Sequence, residues 1–456
     1  MRAIILAAGR GRRNFPYDLT RQKAAMPIAD TYLVRWTVNC LQRAGITDIM
    51  VVVGYLHQRV RHALLGLDVE FVTQGSEAGT APAVLDAMAS CGADEPLLVL
   101  YGDCLIDEQG IRDFVDTARL ERPFAAAMLS PLEGRNSLDW ICGSSDDDRL
   151  AGISGHPRSG RLRMCGVYYL SPPAVPFVRA NPGVAESVNV GGMPKMEAEL
   201  AQSVQLMIDA GHEVRAVTHR GLFVDIDKPW HVLEANGRFA EYICGRLQED
   251  EIADGARISD SAEIAGVVKL GPGCIIGNRV VIGGNLIAGE GTQITNGAIV
   301  HANCVFGKAV TCRDYCLVGS RSTVGTGALI GHGAELGGVA FEGAYLYHYC
   351  EMAGVLGARH DVGAATVCGT LRFDDADTRH QVQGRKEYPD GGANVAYFGD
   401  YTRTGVNAII MPGVKVGAYS CIGPGVVQYD DVDHRTLVTV KQETITRPWG
   451  PERYGW

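Results

Sequence analysis

Apolar residues in the first 230 positions come in short unbroken runs, Ala3-Ile-Ile-Leu-Ala7, Ile49-Met-Val-Val-Val53 and Leu97-Leu-Val-Leu-Tyr101. A strand that is apolar on both faces must be covered on both, which is the situation inside a parallel sheet flanked by helices. Helix-like stretches, Leu33 to Ala44 and Ala81 to Ser90, lie between the runs. The order strand, helix, strand predicts βαβ units and an α/β domain over residues 1–230. Trp230 to Asp250 reads as a helix that closes this domain, giving a connecting segment at 231–250.

Beyond Glu251 the period changes. Aliphatic residues recur every six positions at Ile258, Ile264, Leu270, Ile276 and Ile282, then at Val324, Ile330 and Leu336, and again at Ile410, Val416 and Ile422. Glycine-rich turns such as Gly271-Pro-Gly273 and Gly289-Glu-Gly291 fall between them. A six-residue period with glycine at the corners predicts a parallel β-helix over residues 251–435, one aliphatic side chain per face pointing inward. A glycine-rich linker would not hold aliphatics at a fixed period through three separate blocks. Residues 371–403 lack the period and contain the turn Tyr388-Pro-Asp-Gly-Gly392, so they read as a loop excursion, and 436–456 as a tail.

Composition adds three constraints. The 57 Gly in 456 residues exceed the roughly 7% of ordinary proteins and call for repeated tight turns. A formal charge of −10 argues against a nucleic-acid partner, which needs clustered Lys and Arg. No apolar run approaches the roughly 20 residues of a membrane span, and Gly9, Arg10, Arg12 and Arg13 interrupt the N-terminal apolar stretch in a way unlike a signal peptide, so a cytoplasmic address with no membrane partner is expected. The 13 Cys are odd in number and scattered, and read as small buried hydrophobes. Cys312 and Cys316 have no matching pair for a zinc site. Asp139, Asp146, Asp147 and Asp148 read as a solvated acidic loop, and His301, His332 and His360 as surface or interface residues.

The candidate chemistry begins where the first apolar run ends, in Leu6-Ala-Ala-Gly-Arg-Gly-Arg-Arg13. Gly9 and Gly11 let the backbone approach a ligand closely, and exposed N–H groups beside Arg13 suit a polyphosphate. The stretch is neither a Walker A loop nor a dinucleotide fingerprint, since the Gly-Lys-Ser/Thr and the third Gly are missing. Lys23 lies where the following turn could bring its ammonium to the same phosphates. Asp103 stands at the end of a strand, where ligands bind in open α/β sheets. Asp225 and Asp227 form another acidic strand end, and carboxylates from two strands could share one Mg²⁺.

Taken together, the Leu-Ala-Ala-Gly-x-Gly opening, Arg13, Lys23, Gln74 with Gly79-Thr80, Gly102-Asp103 and Asp225-Ile-Asp-Lys-Pro229 resemble the sugar-1-phosphate nucleotidylyltransferases. With the hexapeptide half, the chain resembles the bifunctional N-acetylglucosamine-1-phosphate uridylyltransferase / glucosamine-1-phosphate acetyltransferase group. The archaeal type is indicated by Leu371-Arg-Phe-Asp374 and by Arg403 to Lys415. The resemblance implies a Rossmann-like domain with a mixed, mostly parallel sheet, a left-handed β-helix, and a homotrimer packed through the prisms. It implies that Arg13 and Lys23 neutralise the phosphates and that Asp103 and Asp225 hold Mg²⁺. Leu6, Ala8, Gly9, Gly11, Gln74, Gly79 and Thr80 would bind the nucleotide. An amide at Gln74 both donates and accepts, which suits uracil or thymine, hence UTP or dTTP. Sugar contacts would come from Tyr101, Gly102, His156, Met164 and Gly166.

Departures from the family pattern bear on the substrate. Arg12 replaces a Thr, Gly155 and His156 stand for an acid and a Lys, and Met164 stands for an Asn that greets the sugar. A sugar other than N-acetylglucosamine, or a cyclitol phosphate, fits equally well. In the second half His348 falls near the catalytic His of the acetyl-CoA-dependent enzymes, with one residue fewer before Gly357 and Thr370 in place of an Asn. Three readings follow: a sugar-1-phosphate nucleotidylyltransferase, a bifunctional enzyme that also transfers an acetyl group from acetyl-CoA, and a non-catalytic nucleotide or sugar sensor.

Overall fold

The computed structural model describes residues 1–75, 79–92, 94–185 and 196–453. The strand Arg2–Ala7 lies inside a nine-stranded sheet whose order is 70–73, 49–53, 2–7, 97–101, 162–170, 125–131, 214–218, 149–155 and 141–146. It pairs in parallel with 49–53 on one side and 97–101 on the other. Ile4 and Ile5 are both fully buried, one in the apolar layer on each side of the sheet, and this is why the run is continuous rather than alternating. Helices Leu33–Arg43 and Thr80–Cys91 match the expected helical stretches. Strand Leu162–Leu170 runs antiparallel between 97–101 and 125–131, so the sheet is mixed.

The C-terminal ends of the central strands converge. After Tyr101 the chain turns through Gly102 and Asp103 into a short ribbon, 104–106, which pairs antiparallel with 223–225 in the register Asp225 opposite Cys104. That register brings two distant acidic strand ends together.

The second half is a parallel β-helix with three faces. Ile258 pairs with Ile276, and the ladder continues through Ile294, Cys312 and Ile330. Equivalent side chains such as Lys308 and Glu290 are 18 residues apart, three times the sequence period. The aliphatic positions fill one elongated apolar core, joined by Cys274, Cys304, Cys312, Cys316, Cys350 and Cys368, so Cys312 and Cys316 are packing residues there. Coils in the middle and at the end are shorter, with contacts at a spacing of 16, and in the middle ones the Gly338 N–H donates to Ser322 Oγ. There the strands Glu335–Ala340 and Glu351–Leu356 run straight through a corner, and Gly338 and Gly354 take it at φ 125°. That conformation excludes a side chain.

Helix Pro229–Cys244 connects the halves and ends earlier than the sequence suggested, because Gly245 follows and the chain must reach the first coil at Glu251. Trp230, Phe239 and Ala240 share one buried cluster with Tyr17, Met26 and Leu33 of the first half and Val305, Phe341 and Tyr397 of the second. The excursion is narrower than expected: strand Val367–Cys368 ends the coil, a hairpin forms at 380–382 and 385–387, and Ala396–Phe398 is already back in the ladder. His360 is a correction to the sequence reading, since it is fully buried against Phe398 and bonded through Nδ1 to Thr402 Oγ1. Burial pushes its imidazole down to about 3. Asp146 to Asp148 do form an exposed hairpin end, whereas Asp139 sits apart on a 3₁₀ turn.

Candidate active site

The loop after strand Arg2–Ala7 is shaped by a close approach. Gly11, at φ 63°, lies against the Lys23 methylenes, so that a Cβ would come 2.9 Å from Lys23 Cγ. Gln22 fixes the turn that carries Lys23: its Nε2 donates to the Ala7 carbonyl at 2.8 Å, and its Oε1 accepts from the Ala24 N–H at 2.5 Å. The Lys23 ammonium is 2.6 Å from Asp227 Oδ1 and 3.9 Å from Asp103 Oδ2. Arg13 Nε is 3.2 Å from the same Asp227 oxygen. A cavity of about 70 Å³ opens here, lined by Leu6, Gly9, Gly11, Gln22, Lys23, Ala24 and Asp103.

Three carboxylates face these two cations. One ligand atom each from Asp103, Cys104 and Asp225 lie within 4.8 Å of one another. Burial and the neighbouring Asp103 and Asp227 push Asp225 up to about 7. Asp103 is also raised, by burial above all, although Lys23 opposes the shift. Asp227 goes the other way: burial would raise it, yet Lys23 and Arg13 hold it well below the carboxylate range. Lys23 is raised, because Asp227 and Asp103 outweigh its burial. So Asp227 serves the cations, while Asp103 and Asp225 form a pair whose mutual repulsion a divalent cation relieves. Two hard oxygens at this separation suit Mg²⁺. Cys104 joins them as a neutral thiol, its pKa raised by burial.

The sequence names Asp103, Asp225 and Asp227 as acidic strand ends, and leaves open the contact of Asp227 with Lys23 and the place of Cys104. Asp227 was visible as an acid two residues beyond Asp225, but its partner depends on where Lys23 folds. Cys104 follows Asp103 directly, and only the Asp225–Cys104 register exposes its place.

Gln74 Nε2 donates to the Gly79 carbonyl at 3.1 Å. Thr80 Oγ1 donates to Glu199 at 2.7 Å and accepts from Tyr101 Oη at 3.1 Å, which links Thr80 to the end of the strand bearing Gly102. Gly102 N–H donates to the Leu6 carbonyl at 2.9 Å, and Gly166 lies against the Tyr101 ring. Met164 is only 8% exposed and belongs to the apolar layer with Leu129 and Leu150. His156 is exposed at the end of strand Arg149–Gly155, its Nδ1 2.8 Å from the Leu138 carbonyl. The structure thus brings Arg13, Lys23, Asp103 and Asp225 together and sets His156 in a separate contact.

In the β-helix, His348 is exposed at a corner with φ 61°, its ring 4.1 Å from Tyr347 and 5.5 Å from His332. Tyr349 Oη and His332 Nε2 are 2.8 Å apart. His301 is exposed and His332 partly so, as expected of them.

A pH effect follows from the raised carboxyl. Without metal, Asp225 holds a proton in the folded chain that it gives up in the unfolded one between the ordinary aspartate range and about 7, so its own contribution to stability falls as pH rises through that window. Mg²⁺ is expected to raise Tm more at pH 8 than at pH 5.5, where a proton competes for the site. Differential scanning calorimetry with and without the ion checks this, and an equal shift at both values contradicts it.

Residues 3–171 match the model of the MobA-like NTP transferase domain. A bifunctional sugar-1-phosphate nucleotidylyltransferase/acetyltransferase from Sulfurisphaera tokodaii is 26% identical over 95% of this chain and 98% of its own. The bifunctional protein GlmU of Methanococcus maripaludis is 26% identical over 98% of both. A glucose-1-phosphate thymidylyltransferase from Streptomyces antibioticus is 27% identical over 66% of this chain and 81% of its own. The α/β half carries a MobA-like NTP transferase domain, and the chain is homologous along nearly its whole length to the archaeal bifunctional nucleotidylyltransferase/acetyltransferases.

Proposed function

We propose that the chain joins a sugar or sugar-like 1-phosphate to UTP or dTTP, releasing pyrophosphate. The observation that carries this reading is the meeting of Lys23, Arg13 and three carboxylates at the mouth of the glycine loop. A phosphate oxygen of the sugar phosphate attacks the α-phosphorus in line; the new P–O bond forms as the bond to the β-phosphate breaks, and pyrophosphate carries away the electron pair. Such a transfer needs positioning and charge neutralisation rather than a covalent intermediate. Lys23 spans the reacting phosphates, and Arg13, half exposed, meets the β- and γ-phosphates by leaving Asp227. Asp103 and Asp225 would hold Mg²⁺, which supplies charge neutralisation at the phosphates. Gln74 would read the pyrimidine edge, and Tyr101, Gly102 and Gly166 would border the sugar.

The test is pyrophosphate release with Mg²⁺ across nucleoside triphosphates and sugar 1-phosphates, with Asp103→Asn as control. A pyrimidine-dependent signal that vanishes in the variant supports the reading. Silence from a folded protein that binds nucleotide turns the assignment to a sensor.

A second reading adds acetyl transfer in the β-helix, favoured by exposed His348 among aromatic rings and by the likeness to the bifunctional Sulfurisphaera relative. There His348 would take a proton from an amine as it attacks acetyl-CoA. CoA release that is abolished in His348→Ala is the expected result. A homotrimer through the β-helix faces accompanies this reading. Tyr315, Tyr345 and Tyr349 are exposed there at 70%, 44% and 62%, rings that such a contact would cover, and light scattering reads the mass.

A further inference from the structure

The segment between Arg13 and Lys23 is gripped by the other half of the chain. Tyr17 is fully buried, and its Oη donates to the Val355 carbonyl at 3.1 Å. Asp18 Oδ1 is 3.2 Å from His434 Nε2. Arg21 Nε is 2.9 Å from Asp400 Oδ1, and its Nη2 is 2.9 Å from Glu342 Oε1. The same guanidinium lies 4.5 Å from the Phe341 ring, and Asp400 Oδ1 also accepts the Ala358 N–H at 2.8 Å. The Pro16 carbonyl comes so near Gly399 that a Cβ there would be 2.7 Å away.

These contacts are stiff for a physical reason. The Arg21 and Asp400 side chains are 4% and 1% exposed. A buried charge pair held by several directed hydrogen bonds tolerates few geometries, because a shift leaves a charge without its partner. The stiffness reaches Lys23 along two residues, since Gln22 is locked to Ala7 and Ala24 on both sides of its amide. Glu342, Ala358 and Asp400 stand on neighbouring coils, so one side of the β-helix forms the floor under the phosphate loop.

We propose that Arg21 and Asp400 are positioning residues through which the β-helix holds the phosphate-binding segment, so that nucleoside triphosphate affinity is set partly by the C-terminal half. This rests on the reading of the loop as a nucleotide site. Its signature is selective: the triphosphate side weakens far more than the sugar side.

The test measures KM for UTP, dTTP and the sugar phosphate, and Kd for UTP by titration, in full-length Asp400→Asn, Arg21→Lys and Glu342→Gln. Asp400→Asn is expected to raise the nucleotide KM and Kd about tenfold and the sugar phosphate KM less than twofold. Arg21→Lys keeps the charge but reaches one carboxylate of the two, and should fall between that and Glu342→Gln, whose partly exposed carboxylate costs about twofold. If Asp400→Asn does not fold, Tyr17→Phe takes its place, with an expected threefold rise. A lowered Tm with unchanged KM and Kd, or an equal change for both substrates, overturns the proposal. A wild-type chain that binds UTP without turnover removes the transfer reading alone, and the Kd ratio still decides the clamp.

Discussion

Asp225→Asn lowers the rate of pyrophosphate release by about three orders of magnitude, or ~4 kcal/mol of barrier, and does so without weakening the metal-free fold. The two halves of this expectation have one cause. Asp225 lies within 4.8 Å of Asp103 and is pushed up to about 7 by burial and by Asp103 and Asp227. Its ionised form therefore opposes folding at pH 8, and a neutral amide removes that opposition. Tm of the metal-free variant should stand about 1–3 °C above wild type at pH 8, with the gap narrowing as pH falls and closing only below the ordinary aspartate range. The same amide is a poor ligand for Mg²⁺, so the rise on adding the ion, present in wild type, disappears. Loss of activity with a lowered metal-free Tm would show instead that Asp225 is a structural acid.

Much of this arrangement was readable in the sequence, and the unreadable parts share a physical origin. Strands Ile49–Val53 and Leu97–Tyr101 fall where the apolar runs do, because a sheet covered on both faces leaves no polar position inside a strand. The six-residue period survives as the β-helix core because each coil is locally encoded and repeats its neighbour. Asp103 was visible just past the end of a parallel strand, and Asp225 as the end of a strand that the fold pairs antiparallel with 104–106. What the sequence hides is contact between parts far apart along it. Asp227 meets Lys23 from 204 residues away, and Arg21 meets Asp400 from 379. His360 is buried because Thr402, 42 residues on, lies in the next coil across an excursion that breaks the period. An isolated histidine carries no mark of that.

Lys23→Met is the second large effect, and it separates chemistry from folding. In wild type the ammonium sits 2.6 Å from Asp227 with both side chains only 13% exposed. Removing it leaves Asp227 with Arg13, whose side chain is 51% exposed and better solvated. An acid held low by its partner loses that support, so stability should drop by about 2–3 kcal/mol at pH 7, less than for a fully dry pair. The loss should shrink as pH falls and Asp227 takes up a proton. Turnover should fall by about 10²–10³, because the ammonium proposed to span the reacting phosphates is gone. Lys23→Met combined with Asp227→Asn removes both charges at once. The double variant is expected to regain most of the lost stability and none of the lost activity, a non-additivity that urea unfolding and pyrophosphate release read separately. If activity returns with stability, Lys23 only props up Asp227, and the positive charge at the phosphates must then come from Arg13 alone.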